Sequence, residues 1–245
     1  MKRYFAQGKF DVLQDIIPDI HIWSANLDVS CAELSGYYKY LSARERKRME
    51  NLKFEKDKNH FVAFRGILRK ILSIYTNVPP EAILIRYNDF GKPILQDHAD
   101  YLYFNSSRSN HLALYIFSGL YEVGIDIEKV KDIGNIKDII LQFFAAEEIS
   151  DFKKLPPQKL VKTFYKTWTK KEAFIKAIGE GLSFPLNQFQ VSIAPTERCK
   201  IVQINGKHCA DAAKWSVNEI TMFPGYEAAY VYQGHNANVK FLTFN

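Results

Sequence analysis

Helical and strand-like apolar patterns follow one another along this chain in no regular order. The longest helical pattern covers Leu160–Ile178 and stops at Gly179, a residue type that favours the backbone conformation which ends helices. Residues 112–117 and 123–128 indicate two strands in direct succession, joined by a turn that contains Gly119. A doubly wound parallel sheet would need a helix between successive strands. The order therefore predicts an α+β fold.

Shorter patterns indicate where further elements begin. Ser42-Ala-Arg-Glu45 has the spacing of a capping box and predicts a helix start. Apolar residues recur at helical intervals from Phe61 to Tyr75 and predict a helix with a buried stripe. Residues 19–29 alternate and predict a strand, and residues 205–206 (Asn-Gly) predict a turn between two strands.

Composition excludes several classes of protein. Hydrophobic residues make up 47% and charged residues 24% of the 245 positions, which is too apolar for an intrinsically disordered chain. No apolar run approaches the roughly 18 residues of a membrane span, and the first residues lack the apolar core of a secretory signal. The three cysteines form no CxxC pair, which disfavours a disulfide scaffold or a thiolate zinc site. We therefore expect a cytoplasmic protein that does not contact a membrane.

Positive charge is concentrated in one segment. The chain has a net charge of +6, and Lys39–Lys70 alone holds eleven basic and four acidic residues. Such a segment suits a polyanionic partner, for example a nucleic acid, a phosphorylated cofactor or an acidic protein. A solvated helical face rich in lysine would give the same pattern.

Two short motifs carry candidate chemistry. In Ile-Asp126-Ile-Glu128 a strand would place both carboxylates on one face and both isoleucines on the other. In Trp168-x3-Glu172-x3-Lys176 helical spacing stacks the three side chains on one stripe. Taken alone, the first motif is equally typical of an amphipathic strand with an acidic face, and the second of a surface ion pair.

Together the two motifs describe a site suited to phosphoryl transfer. Three carboxylates can hold Mg²⁺ and leave coordination positions for phosphate oxygens and water. A lysine one helical turn from such a ligand supplies a positive charge for a phosphate, and a carboxylate can accept the proton of an attacking hydroxyl. The chain has neither a Walker loop nor a GxGxxG motif, so an ordinary nucleotide cradle is absent.

These motifs resemble the paired signature of 4′-phosphopantetheinyl transferases of the Sfp type. Three flanking segments occur in the same order as in that family, and the resemblance covers roughly residues 40–190. The segments are Phe90-Gly-Lys-Pro93, Phe104-Asn-Ser-Ser-Arg-Ser109 and Phe143-Phe-Ala-Ala-Glu-Glu148.

The resemblance implies a fold of two pseudo-symmetric α/β halves, residues 1–122 and 123–245, with the active site between them. It implies transfer of 4′-phosphopantetheine from coenzyme A to a serine of an acyl, polyketide or peptidyl carrier protein, with release of adenosine 3′,5′-bisphosphate. The cofactor would be Mg²⁺, or Mn²⁺ in its place. We further expect a monomer that binds no nucleic acid.

The resemblance also implies roles for single residues. Asp126, Glu128 and Glu172 would be metal ligands. Glu172 and Lys176 would be catalytic, with Glu172 as the base for the incoming serine, directly or through water, and Lys176 on the phosphate that is substituted. Coenzyme A would be bound by residues from both halves, namely Arg48, Arg65, Lys92, Ser107, Arg108 and Lys176. Glu148 matches an acidic position of the family whose role is left open.

Arg108 departs from the family's pattern. Members usually have Ser-His-Ser where this chain has Ser107-Arg108-Ser109. Arginine keeps the positive charge and adds hydrogen-bond donors. We therefore expect Arg108 to bind a nucleotide phosphate of coenzyme A, the 3′-phosphate, with an altered geometry.

Two other functions share parts of this pattern. A Mg²⁺-dependent nuclease also uses several carboxylates and a lysine, but its acid and lysine lie two apart on a strand, whereas Glu172 and Lys176 lie four apart on a predicted helix. A non-catalytic protein that binds coenzyme A or carrier proteins would tolerate the loss of metal ligands, yet every metal position is filled. The sequence does not identify the carrier.

Overall fold

The computed structural model describes residues 20–97, 102–193, 201–204 and 212–245. They form the α+β fold that the order of patterns predicts. The helices are α1 Cys31–Tyr40, α2 Ala43–Glu50, α3 Glu55–Thr76, α4 Ile136–Phe143, α5 Ala146–Lys153 and α6 Pro157–Ile178. The strands are β1 Ile20–Asn26, β2 Ile85–Tyr87, β3 Pro93–Leu95, β4 Tyr103–Ser109, β5 Leu112–Ser118, β6 Val123–Lys129, β7 Phe189–Val191, β8 Ile201–Ile204, β9 Trp215–Ile220, β10 Tyr226–Gln233 and β11 Val239–Phe244.

The first sheet has the strand order β11-β1-β5-β4. Strand β5 is antiparallel to both of its neighbours, whereas β11 runs parallel to β1. The last strand of the chain therefore completes the sheet that the first strand begins. Helix α3 covers this sheet with the predicted apolar stripe, and Tyr75 at its end packs on Phe117 of β5 with ring centroids 4.8 Å apart.

The second sheet has the order β6-β10-β9, and helix α6 packs across it. Phe174 of α6 lies with its ring centroid 5.2 Å from that of Trp215 on β9. Gly124 of β6 allows the helix to come close, because a Cβ at this position would overlap the backbone of Ala173 and Ala177. This close approach brings the carboxylates of β6 to the surface of α6.

Strands β4 and β6 lie side by side where the two sheets meet, and side chains of β4 join them. Ser107 Oγ donates to Asp126 Oδ1 at 2.8 Å, and Ser109 Oγ donates to Glu128 Oε2 at 2.8 Å. Asn105 Oδ1 accepts from a backbone amide of β6 at 3.4 Å. Because alternate residues of a strand share a face, β4 presents one polar row to β6.

The predicted helix boundaries are confirmed with small shifts. The capping box opens α2, since Ser42 N donates to Glu45 Oε2 at 2.9 Å and Glu45 N donates to Ser42 Oγ at 3.3 Å. Helix α6 begins at Pro157, three residues before the predicted pattern, and ends at Gly179 with φ of 76°. A proline suits the first helical position, because its missing N–H would have no partner there.

The remaining predictions fall partly outside the described ranges. The strand predicted over residues 19–29 is observed as Ile20–Asn26, and residue 19 lies outside. The turn predicted at residues 205–206 also lies outside the described residues. No helix within the described ranges is long and apolar enough to cross a membrane.

Candidate functional site

Asp126 lies at the centre of the candidate site, buried on β6. Its Oδ1 accepts hydrogen bonds from Ser107 Oγ at 2.8 Å and from Lys176 Nζ at 2.7 Å. Its Oδ2 is buried and has no hydrogen-bond partner among the described residues. A buried carboxylate oxygen without a donor costs free energy, so this oxygen is available to a cation or a polar ligand.

Glu172 and Lys176 lie one turn apart on α6, on the side that faces β6. Lys176 Nζ also donates to Ser107 Oγ at 2.9 Å and to Ile125 O at 3.3 Å. Burial, together with the charges of Asp126 and Glu128, raises the pKa of Glu172 above its ordinary value, although Lys176 opposes the shift. The charged side chains of the β6 motif and of the α6 motif, which are separated in sequence, thus interact in one cluster.

Glu128 belongs to the same cluster. Burial and the neighbouring Asp126 raise the pKa of its carboxyl, and the hydrogen bond from Ser109 partly offsets this. A raised pKa means that the folded protein penalises the negative charge. Burial and the neighbouring carboxylates therefore disfavour the charged forms of Glu128 and Glu172.

The carboxylate cluster fits a hard divalent cation in its chemistry. No group of three or more His, Cys, Asp or Glu side chains in the described part of the chain is arranged to hold a metal ion, and Lys176 supplies the positive charge at Asp126 Oδ1. Yet all donors are carboxylate oxygens, which Mg²⁺ and Mn²⁺ prefer. The unpartnered Asp126 Oδ2 and the raised pKa of Glu128 and Glu172 both indicate that a further cation would be accepted.

A cavity of about 410 Å³ opens next to Glu172 and Lys176. Basic side chains line it, one of them from α6 and the others from residues 44–108. Aromatic side chains from residues 61–90 also line it. The basic residues are Arg44, Arg48, Arg65, Lys92, Arg108 and Lys176, and the aromatic residues are Phe61, Phe64, Tyr87 and Phe90. Such a wall suits a phosphorylated ligand that also carries a flat ring.

Three arginines of the cavity lie over aromatic rings. The guanidinium carbon lies 4.2 Å from the ring centroid of Tyr87 for Arg44 and 5.6 Å from that of Phe64 for Arg108. For Arg48 the ring is Phe61, at 6.0 Å. Cation–π contacts of this kind order the guanidinium groups before a ligand arrives.

Arg65 is held inside the protein more firmly than the other arginines of the cavity. Its Nε donates to Glu45 Oε1 at 2.6 Å, and its Nη2 donates to the hydroxyl of Tyr87 at 2.9 Å. Arg69 pairs with the second oxygen of Glu45 at 2.9 Å. Two of the basic residues counted in the Lys39–Lys70 segment therefore share one buried carboxylate, which offsets one of their two positive charges.

Two residues that the resemblance assigns to coenzyme A have their polar groups engaged elsewhere. Lys92 lines the cavity, but its Nζ donates to Glu122 Oε2 and to Ala177 O, both at 2.6 Å. Ser107 is not among the cavity-lining residues in the described ranges, and its hydroxyl faces Asp126. Arg48, Arg65, Arg108 and Lys176 all reach the cavity.

Sequence reasoning missed Arg44 and the aromatic wall. Arg44 lies one helical turn before Arg48 on α2, so the helical spacing within the basic segment was the signal that could have found it. Tyr87 directly precedes the turn of residues 88–91 and Phe90 lies within it, so neither carried such a periodic signal.

Glu148, whose role was left open, forms a fully buried ion pair with Lys171 at 2.8 Å. Burial raises the pKa of Glu148 and lowers that of Lys171 to about 8. Lys171 Nζ also donates to Leu186 O and Phe189 O, and Glu148 accepts from Val191 N. This network ties α6 to α5 and to the segment that follows, which fixes the helix that carries Glu172.

Trp168 lies in the middle of the same helix. It is half-buried, and its ring lies 5.8 Å from that of Phe164 and 6.2 Å from that of Phe143. The predicted stripe of Trp168, Glu172 and Lys176 therefore runs from an aromatic cluster to the cavity.

Comparison with known proteins places these features in one family. Residues 122–231 match the model of the 4′-phosphopantetheinyl transferase superfamily. The 4′-phosphopantetheinyl transferase HetI of Nostoc sp. is 32% identical over 225 residues, which cover 91% of this chain and 91% of that protein. The transferase Sfp of Bacillus subtilis is 29% identical over 165 residues, which cover 67% of this chain and 72% of that protein.

A third relative and one solved structure complete the comparison. The transferase gsp of Aneurinibacillus migulanus is 34% identical over 163 residues, 66% of this chain and 64% of that protein. A holo-ACP synthase from Plasmodium yoelii matches with a TM-score of 0.35 and 19% identity, over 47% of this chain and 95% of that one. The extended identity to HetI, the superfamily match and the shared motifs together establish that the chain belongs to the 4′-phosphopantetheinyl transferases of the Sfp type.

Proposed function

We propose that this protein transfers 4′-phosphopantetheine from coenzyme A to a serine hydroxyl of an apo carrier protein and releases adenosine 3′,5′-bisphosphate. One observation carries the proposal beyond family membership. Glu172 and Lys176 line the same cavity as Arg44, Arg48 and Arg108. A nucleotide held by the arginines would therefore extend its diphosphate toward the carboxylates.

The basic and the aromatic side chains of the cavity would both bind coenzyme A. Arg48 and Arg108 are ordered over aromatic rings and have guanidinium groups available for the phosphates. Arg65 would contribute charge while it stays bound to Glu45. Ser107 would bind after its hydroxyl turns from Asp126, because the two are hydrogen-bonded in the ligand-free protein.

A divalent ion, Mg²⁺ or Mn²⁺, would be held by Asp126, Glu128 and Glu172. When bound, such an ion neutralises the charge that develops on the diphosphate.

The chain's own residues would then perform two tasks. Glu172 accepts the proton of the carrier serine, and burial suits it to this role because a raised pKa makes a carboxylate a better base. Lys176 donates to the phosphate under attack. The serine oxygen forms the new bond to the phosphorus that bears pantetheine, and the bond from that phosphorus to the bridging oxygen breaks, so that adenosine 3′,5′-bisphosphate leaves.

The partners follow from this chemistry. Exposed basic residues of the Lys39–Lys70 segment, such as Lys47 and Lys56, would attract an acidic carrier protein. We propose a cytoplasmic monomer that binds neither nucleic acid nor membranes. We also propose that residues 1–122 and 123–245 are its two halves, with the addition that β11 pairs with β1 of the first half.

The experiment is incubation with coenzyme A, Mg²⁺ and a panel of apo carriers from fatty-acid, polyketide and peptide synthases, followed by intact-mass measurement of each carrier. We expect at least one carrier to gain one phosphopantetheine, and the Glu172→Gln variant to leave every carrier unmodified. Binding of coenzyme A without any mass gain would favour the non-catalytic binder. Cleavage of a nucleic acid that depends on Glu172 would favour the nuclease.

A further inference from the structure

The last turn of α6 is capped by side chains from the first half of the chain. The final carbonyls of a helix have no partner within the helix. Here Ala177 O accepts from Lys92 Nζ at 2.6 Å, and Gly179 O accepts from Asn88 Nδ2 at 2.7 Å. Lys176 O accepts a longer bond of 3.5 Å from Asn105 Nδ2. The end of the helix that carries Lys176 is thus fixed from outside.

Lys92 is the charged member of this cap. Its ammonium lies at the negative end of the helix dipole, where a cation is stabilising. Glu122 holds it from the other side at 2.6 Å, and the exposed fractions are 14% for the Lys92 side chain and 40% for that of Glu122. Glu122 directly precedes β6, so this one ammonium group connects the end of α6 to the start of the strand that carries Asp126.

The turn that presents Lys92 is itself built to fit the helix end. Asn88 Oδ1 accepts from Lys92 N at 2.8 Å and from Phe90 N at 3.0 Å, which closes the turn. Gly179 has φ of 76°, and a Cβ there would lie 2.6 Å from Lys92 Cδ. A side chain at this position would be strained by the positive φ and would displace Lys92, so the turn and the helix end are closely packed.

We propose that Lys92 is a positioning residue for Lys176 and not a ligand of coenzyme A. This inference depends on the proposed function and differs from the role that the resemblance implies for Lys92. Two of the three N–H donors of its ammonium are directed at the protein. Lys176 directly precedes the capped residue Ala177, so the cap determines where Lys176 Nζ meets Asp126 and Ser107.

The kinetic test is a double-mutant cycle on Lys92→Met and Glu122→Gln, with kcat and KM for coenzyme A measured separately. We expect Lys92→Met to lower kcat about tenfold with KM for coenzyme A changed less than about twofold, because small displacements of a catalytic group act on the transition state. Glu122→Gln should lower kcat in the same direction, and the double variant should be no slower than Lys92→Met alone. Lys92→Arg should restore part of kcat, since it keeps the charge and the donors.

The matched control is Lys154→Met, which removes an exposed lysine and its ion pair with Asp151 on α5, and it should leave kcat and KM unchanged. A tenfold rise of KM for coenzyme A with unchanged kcat in Lys92→Met, together with no effect of Glu122→Gln, would overturn the proposal and make Lys92 a coenzyme A ligand.

A second measurement needs no activity and separates this inference from the proposed function. Amide hydrogen exchange should be faster at Gly179, whose N–H donates to Ile175 O, in Lys92→Met and in Glu122→Gln than in the unmodified protein. Exchange at Phe164, in the first half of α6, should not change. Equal exchange rates at Gly179 in the unmodified protein and in both variants would refute the proposed role of Lys92 in fixing the helix end. This would hold even if the protein transfers phosphopantetheine. Faster exchange in a protein that modifies no carrier would support the cap and refute the proposed function.

Discussion

Lys176 Nζ lies 2.7 Å from Asp126 Oδ1, so the lysine and one carboxylate of the candidate metal site neutralise each other in the ligand-free protein. Lys176 is also the residue proposed to bind the phosphate under attack. The same ammonium group therefore has two alternative partners, and a ligand that draws it away leaves Asp126 free for a cation.

Removing Lys176 should consequently improve metal binding while it abolishes transfer. We expect Lys176→Met to bind Mn²⁺ about tenfold more tightly than the unmodified protein in the absence of coenzyme A, because one competing positive charge is lost. Titration calorimetry or the electron paramagnetic resonance signal of free Mn²⁺ measures this. Unchanged or weaker Mn²⁺ binding would show that Lys176 does not compete for Asp126.

Asp126→Asn should abolish transfer without unfolding the protein. The amide oxygen can still accept from Ser107 and Lys176, while the charge needed for a divalent cation is gone. We expect turnover to be lost and the melting temperature to stay within about 5 °C of that of the unmodified protein. Asp151→Asn, at an exposed position of α5, serves as the control. Normal turnover of Asp126→Asn would remove Asp126 from the metal site, and loss of the thermal transition would make its role structural.

Arg108→Ala should weaken the binding of coenzyme A more than the binding of dephospho-coenzyme A, which lacks the 3′-phosphate. A charge-assisted contact is worth roughly 1.5–3 kcal/mol, which corresponds to about tenfold or more in affinity. Titration of both ligands against the unmodified protein and the variant measures the difference. The control is Arg86→Ala, since Arg86 is exposed and does not line the cavity. Equal loss for both ligands, or no loss, would mean that Arg108 does not recognise the 3′-phosphate.

Salt should act on carrier recognition. Salt screens the attraction between the exposed lysines of the Lys39–Lys70 segment and an acidic carrier, with a Debye length of about 8 Å at physiological ionic strength. We therefore expect the KM for the carrier to rise with salt more than kcat falls. Steady-state kinetics at several salt concentrations measure both constants. A KM for the carrier that is independent of salt would favour a solvated lysine-rich face without a role in docking.

Acid should remove the stabilisation that Glu219 provides on the second sheet. Burial raises its pKa, but hydrogen bonds from Lys166 and Lys170 outweigh this and hold the pKa at about 2, below the ordinary value of 4.5. A lowered pKa in the folded state stabilises the protein above the ordinary pKa, and the effect is lost as the pH falls toward 2.

The variant Glu219→Gln tests this pH dependence. Because the site is partly open to solvent, we expect it to be about 1–2 kcal/mol less stable than the unmodified protein at pH 7. Urea unfolding at a series of pH values should show the difference shrinking below about pH 4.5. A difference that stays constant down to pH 2.5 would contradict the assignment.

Local patterns predicted elements well, because capping and periodicity depend on neighbouring residues. Ser42 and Glu45 are a good example, since their spacing alone located the start of α2. The sequence could not show that Glu45 is also the buried partner of Arg65 and Arg69, because those contacts form only when α3 packs on α2.

The same limit applies to the candidate site. Strand and helix periodicity placed Asp126 with Glu128 and Glu172 with Lys176. Periodicity could not show that the two pairs meet, and they were joined by the chemistry of phosphoryl transfer and by the family resemblance. Lys92 has contacts that neither periodicity nor the resemblance indicates. Its partner Glu122 lies 30 positions away and its partner Ala177 lies 85 positions away, so neither contact has a local signal.

The most direct test of the proposed reaction is to quantify both products in one mixture of the protein, coenzyme A, Mg²⁺ and an apo carrier. We expect one molecule of adenosine 3′,5′-bisphosphate for each carrier molecule that gains one phosphopantetheine, and neither product with Glu172→Gln. Formation of the nucleotide without modification of the carrier, or an unmodified carrier across the whole panel, would contradict the proposed reaction.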